Sequence, residues 1–125
     1  MQKLVIEGTK VTPTITADPA SGTIEVLGRS IPENATSFYK PVLDWIEEYK
    51  MSPCECTNLV FYLDYLNSIS QKIVYDILDR LADVSDKSTL KIQWKYDEDD
   101  EEMLDEGEVF KSKFDLDFEL IEISE

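Results

Sequence analysis

The stretch from Asn58 to Leu81, NLVFYLDYLNSISQKIVYDILDRL, changes its hydrophobic period halfway along. Asn58 to Tyr65 is nearly continuous in apolar residues, the pattern of a strand covered on both faces. Beyond it Ile73, Val74, Ile77, Leu78 and Leu81 recur at helical spacing and share one side. A buried strand feeding an amphipathic helix commits the chain to a layered α/β packing. The changeover lies at YLNSIS, Tyr65 to Ser70, where Asn67, Ser68 and Ser70 are all residue types that cap helices. SISQ fits a capping box, with Ser68 as N-cap and Gln71 reaching back from the third helical position.

The flanking sequence supplies more of the same units. KLVIE (residues 3–7) and VTPTIT (11–16) are short strand candidates rich in β-branched residues, and TIEVLG alternates as a strand after the turn DPASG. Phe38, Val42, Trp45, Ile46 and Tyr49 form one face of a first helix. Pro41 lies awkwardly within it and fits a helix that starts near Thr36 or Ser37, or one preceded by an offset turn at Pro32 to Ala35. Leu90, Ile92, Trp94 and Tyr96 alternate against Lys91, Gln93 and Lys95 as a half-buried strand. Met103, Leu104, Gly107 and Phe110 suit a short third helix. FDLDFELIEI closes as a strand whose alternation slips at Leu120–Ile121, the signature of a bulge. The expected fold is a single α/β domain over residues 1–125, a mixed sheet with helices packed on it in the order β-β-β-α-β-α-β-α-β.

Charge and composition exclude several classes of function. Twenty-seven acids against twelve bases give a formal charge of −15, which repels nucleic-acid phosphates and anionic lipids and steers basic protein faces inward. No apolar run approaches the roughly 20 residues of a membrane span, and MQKLVIEGTK has no signal-peptide core, so a cytoplasmic protein is expected. The chain has no histidine, which removes the commonest general base and most zinc sites. Cys54 and Cys56, in PCEC, cannot complete a structural zinc site and read as reduced thiols.

Two segments hold candidate chemistry. YDEDDEEMLDEGE places nine acids between Asp97 and Glu108, yet the sixth position of a calcium loop would be Glu102 rather than glycine. A solvated loop leading into a helix accounts for these acids, which are favoured near a helix N-terminus. The other segment is the junction. FYLDYLNS resembles phosphotransferases with an aspartate nucleophile at a strand end, but the second aspartate such enzymes need would fall at Leu66. What remains is a hydroxyl. Ser68 serves as a cap, or as a phosphate acceptor whose dianion the first-turn amides and the helix dipole favour by about 0.3–1 kcal/mol, with Lys72 one turn on. Physics alone accommodates both.

At this point the chain resembles a known family, the SiaC-type regulatory phosphoproteins of bacteria. TPTI (Thr12 to Ile15) is similar to the family's early strand. GRSIPENATSFYKPVLDWIEEY (Gly28 to Tyr49) resembles its Gly-Arg-Ser-x-Pro-Glu-Asn-Ala signature with the Phe-Tyr-x-Pro and Trp that follow. YLNSISQK and WKYDEDDEEMLDEGEVF resemble its Asn-Thr-Ser-Ser-Lys junction and its Trp-x-Tyr acidic segment. The resemblance implies a fold similar to the STAS domains of anti-sigma-factor antagonists, and a partner-switching role without enzymatic activity or cofactor. A dedicated kinase would phosphorylate the junction hydroxyl and a PP2C-type, metal-dependent phosphatase would reverse it. The unphosphorylated form would bind and activate an effector such as a diguanylate cyclase, in biofilm signalling. By position the modified residue is Ser68, where the family usually has threonine, with Ser70 as the fallback; Ile69 stands where the family often has serine. Asp64, Tyr65, Asn67, Ser70 and Lys72 would surround it as the partner-binding surface, with Glu33 and Asn34 at the same sheet edge. Two rivals remain, a metal-dependent hydrolase using residues 97–102 and a constitutive scaffold.

Overall fold

The computed structural model of the chain describes residues 1–124. Among them, strands β1 (Leu4–Ile6), β2 (Thr14–Asp18) and β3 (Thr23–Ser30) come first. Helices α1 (Ala35–Tyr49), α2 (Ser68–Ala82) and α3 (Glu101–Lys113) then alternate with β4 (Cys56–Leu66), β5 (Thr89–Asp97) and β6 (Asp117–Ile123), and a 3-10 turn at Asp83–Asp86 leads into β5. The order is the expected one. The six strands lie in the sheet in chain order, antiparallel from β1 to β3 and parallel from β3 to β6. No helix among the described residues is long and apolar enough to cross a membrane.

This topology corrects one expectation. Successive right-handed crossovers between neighbouring parallel strands all step the same way, so they lay α1, α2 and α3 on a single face of the sheet. Thr57, Leu59, Phe61 and Leu63 of β4 are buried on that face, together with Ile24 and Val26 of β3 and Leu90, Ile92 and Trp94 of β5. Among the described residues no helix lies on the opposite face, so β4 is not covered by helices on both sides. Val60, on that open face, stays 7% exposed and lies outside the main core cluster. Its register partners on the adjacent strands are Glu25 and Gln93. A central strand position produces the same apolar run as two covering layers.

The bulge also lies elsewhere. β6 pairs with β5 in unbroken register from Lys91↔Asp117 to Asp97↔Ile123. Leu120 faces the helices as the partner of Trp94, and Ile121 faces outward beside Lys95, so the apolar doublet belongs to two different faces. The register shift occurs between Gly28 and Arg29, where Gly28 takes φ +112. That backbone conformation is what requires glycine there, because an added Cβ would meet nothing closer than 3.8 Å. At Gly107 the reason is space: a Cβ would lie 2.5 Å from Trp94, so its absence lets α3 settle on the sheet.

In α1 the helix begins at Ala35, one residue before the expected start, with Asn34 accepting from the Ser37 amide at 3.1 Å. Pro41 remains inside it and is exposed, as is Ser37, so water can take the carbonyl the proline leaves free. Val42, Trp45, Ile46 and Tyr49 are buried as expected. Phe38 is only half-buried and Tyr39 takes the core position beside it. Cys54 and Cys56 are free thiols.

Candidate functional site

The parallel strands end along one edge of the sheet, and the candidate residues collect there. The Asn67 amide donates to the Ser30 carbonyl at 3.1 Å, which ties the end of β4 to the end of β3. Glu33 and Asn34 follow β3 at that same edge, both exposed, with Asn34 occupied as the α1 cap. Asp64 is exposed near the end of β4 and pairs with Arg29 at 3.6 Å. Such a solvated pair contributes little stability. Tyr65 is 53% exposed and Ile69 is 54% exposed, one on each side of the turn that holds Ser68.

The cap is not the one the sequence suggested. Asn67 holds the N-cap position, and its Oδ1 accepts from the Ser70 amide at 2.9 Å. Ser68 is the first helical residue, and Gln71 turns sideways to donate from Nε2 to Glu106 Oε1 at 2.7 Å. The capping box is therefore absent. Asn67 takes the cap because it is the extended residue just before the helix, from which its side-chain oxygen reaches the third helical amide, whereas Ser68 is already helical. The cap and the strand edge take two of the four orphan amides of α2; those of Ser68 and Ile69 remain. The Ser68 hydroxyl is exposed and has no capping task.

Ser70, the fallback, is in the opposite situation. It is fully buried, and its Oγ accepts from Ser30 Oγ at 2.9 Å. Since Ser30 spends its proton there, the Tyr39 hydroxyl donates to Ser30 at 2.6 Å, completing a buried run of three hydroxyls. Burial pushes the Tyr39 phenol up to about 12, and its bond with Ser30 opposes the shift. No enzyme can reach Ser70 in the folded chain, so it is removed both as a modification site and as a contact residue. No local pattern in the sequence singles out Arg29, Ser30 and Tyr39 for this site; the pairing of β3 with β4 brings them to the junction.

Beside Ser68 a cleft of about 150 Å3 opens between the end of β4 and the starts of α2 and α3, lined by Asp64, Tyr65, Gln71, Asp100, Glu102 and Glu106 among others. Glu106 is pushed above the ordinary carboxylate range by burial first, then by repulsion from Asp105 and Glu102, while Lys113 opposes the shift. Lys72 is exposed one turn after Ser68 and forms no ion pair among the described residues. The acidic run is dispersed. Asp97 accepts from the Tyr62 hydroxyl at the end of β5, Asp100 caps α3 through the Met103 amide, and Glu101 and Glu102 occupy its first turn. No group of three or more potential ligands is arranged to hold a metal ion among the described residues.

Three comparisons bear on this edge. An uncharacterized protein of Pseudomonas aeruginosa (strain UCBPP-PA14) is 33% identical over 112 residues, 89% of each chain. SiaC of Pseudomonas aeruginosa superposes with a TM-score of 0.89 at 31% identity, covering 98% of this chain and 100% of that one. A crystal structure of the diguanylate cyclase SiaD in complex with its activator SiaC, from the same organism, contains a chain that matches with a TM-score of 0.89 at 30% identity, over 96% of this chain and 99% of that one. Residues 6–123 match the family described as SiaC family regulatory phosphoprotein. The asparagine-capped junction thus stands in a fold shared along almost its whole length, and the chain belongs to the SiaC family of regulatory phosphoproteins.

Proposed function

We propose that this chain is a non-enzymatic, cytoplasmic partner switch in which the whole sequence acts as one regulatory domain and Ser68 is the reversibly phosphorylated residue. A dedicated kinase adds the phosphoryl group and a PP2C-type phosphatase removes it. The unphosphorylated form binds and regulates an effector of the diguanylate cyclase class, a reading supported by the similarity to the SiaC that activates SiaD.

One observation carries the site assignment. Because Asn67 supplies the cap, Ser68 is left exposed at the first helical position, free to be modified without loss of the helix. A phosphoryl group there adds about −2 charge at a helix N-terminus, where the remaining amides and the dipole tolerate it. It would stand between Tyr65 and Ile69, two large side chains left half-exposed. A partner that covers those apolar groups must desolvate the dianion as well, and that cost falls on binding rather than on folding. Tyr65, Asn67, Lys72 and Asp64 form the recognition surface, with Glu33 and Asn34 at its margin.

The test is phosphopeptide mapping of protein purified from its native host, together with capture of the bound effector. Phosphate on Ser68 is expected, and a cyclase should co-purify with wild type and Ser68→Ala but be lost with Ser68→Asp. A Ser68 unmodified under every growth condition, or equal capture by both variants, leaves a constitutive scaffold as the better account.

A further inference from the structure

The surface around Ser68 continues past the first turn of α2. The cleft described above shares Gln71 and Glu106 with a second depression of about 250 Å3, a groove between α2 and α3. The hydrogen bond between those two residues forms the saddle where the two meet. Phe110, buried against Trp94, floors the groove, and Tyr75 and Val109 stand on its walls. The Tyr75 ring is held in place by Phe114, with centroids 5.0 Å apart, and by the Lys113 ammonium 5.4 Å from its centre. Of the eight large hydrophobic residues exposed among those described, Tyr65, Tyr75 and Val109 line this one track. Apolar residues scattered singly over a surface need no explanation, but a contiguous track beside a switch residue points to a partner.

The charge along the track is graded. Its cleft end is walled by carboxylates, and Glu106 is held there in partial burial against Glu102 and Asp105, an arrangement a partner cation would relieve. Acidic segments are repelled by the chain's −15 background, and Phe110 and Tyr75 offer an apolar side chain a bed of aromatic carbon. We propose that the α2–α3 groove and its adjoining cleft receive a segment of the effector protein that carries a large apolar side chain next to a lysine or arginine. The apolar group lies over Phe110 between Tyr75 and Val109, and the cation sits in the cleft against Glu102 and Glu106. This rests on the partner-switch reading and extends its surface from the junction turn to the third helix.

The experiment uses the full chain and the cyclase that co-purifies with its unphosphorylated form. Binding is measured by calorimetry for Val109→Glu, Glu106→Lys and Ser68→Asp, with Val5→Glu on the distant β1 as control and thermal melts to confirm folding. Val109→Glu and Glu106→Lys should each weaken binding at least tenfold while Val5→Glu leaves it unchanged. Cross-linking from position 75 should locate the effector segment, and reversing its basic residue to glutamate should restore binding to Glu106→Lys. If Val109→Glu and Glu106→Lys bind like wild type while Ser68→Asp does not, the groove proposal is overturned and the switch survives. If Ser68→Asp also binds fully, the switch itself falls. Sedimentation in which Val109→Glu alters only self-association would give the groove to a second copy of the chain and overturn the proposal as well.

Discussion

At one edge of the sheet Tyr39, Ser30 and Ser70 form a buried run of hydroxyls, and at the other Tyr49, Thr57 and Ser88 form a second. Both tyrosines come from α1, so each run fastens one end of that helix to the sheet. Both phenols are pushed up by burial. At the Tyr49 edge the phenol oxygen also accepts from the Cys54 amide at 3.1 Å, which draws the connecting loop down over the run. At the Tyr39 edge the run ends in Ser70, and the same helical turn carries a second serine outward. The two edges are fastened alike, and at the Tyr39 edge the exposed hydroxyl of Ser68 stands in the same helical turn as the buried one. Within a single turn of α2, one serine is buried in the run and the other faces solvent.

The largest test of this division is a charge placed on each serine in turn. Ser70→Asp puts a carboxylate into the buried run and should cost on the order of 2–4 kcal/mol in urea denaturation. Ser68→Asp should stay within about 0.5 kcal/mol of wild type, because the residue is exposed and the helix dipole favours the charge. Equal losses would mean the two hydroxyls are not divided as described. A middle-sized effect separates cap from passenger. Asn67→Ala should lose about 1 kcal/mol with the cap, and Ser68→Ala no more than about 0.5 kcal/mol. Denaturation midpoints in the reverse order would restore Ser68 as the cap. The smallest effect concerns alkaline pH. The Tyr39 phenol titrates at about 12 when folded and at its ordinary value of 10.0 when unfolded. Between those values the folded state holds the proton more tightly, so the stabilisation present below pH 10 is lost as pH rises towards 12. Tyr39→Phe should be less stable by roughly 1 kcal/mol at neutral pH and show a shallower decline above pH 10. An unchanged slope would show that the phenol is not confined as the hydrogen bonds indicate.

Much of this chain is written in local order. The change from strand to helical period at Asn67, the alternation of Leu90 to Tyr96 and the acids leading into α3 are all patterns over a few residues, and each became the element it suggested. The location of the candidate turn was legible for the same reason, and the motifs around it carried the family. Three things were not legible. Whether Asn67 or Ser68 caps α2 depends on which side chain reaches the third amide, and both residue types are competent caps. The burial of Ser70 depends on Ser30 and Tyr39, 40 and 31 positions earlier in the chain. The groove between α2 and α3 exists because both helices lie on one face of the sheet, and no local pattern records the side on which a crossover lands. Periodicity reports which residues want burial, since that is a property of each side chain and its near neighbours. Only the folded chain decides what buries them, because partners distant in sequence are chosen by the packing of whole layers.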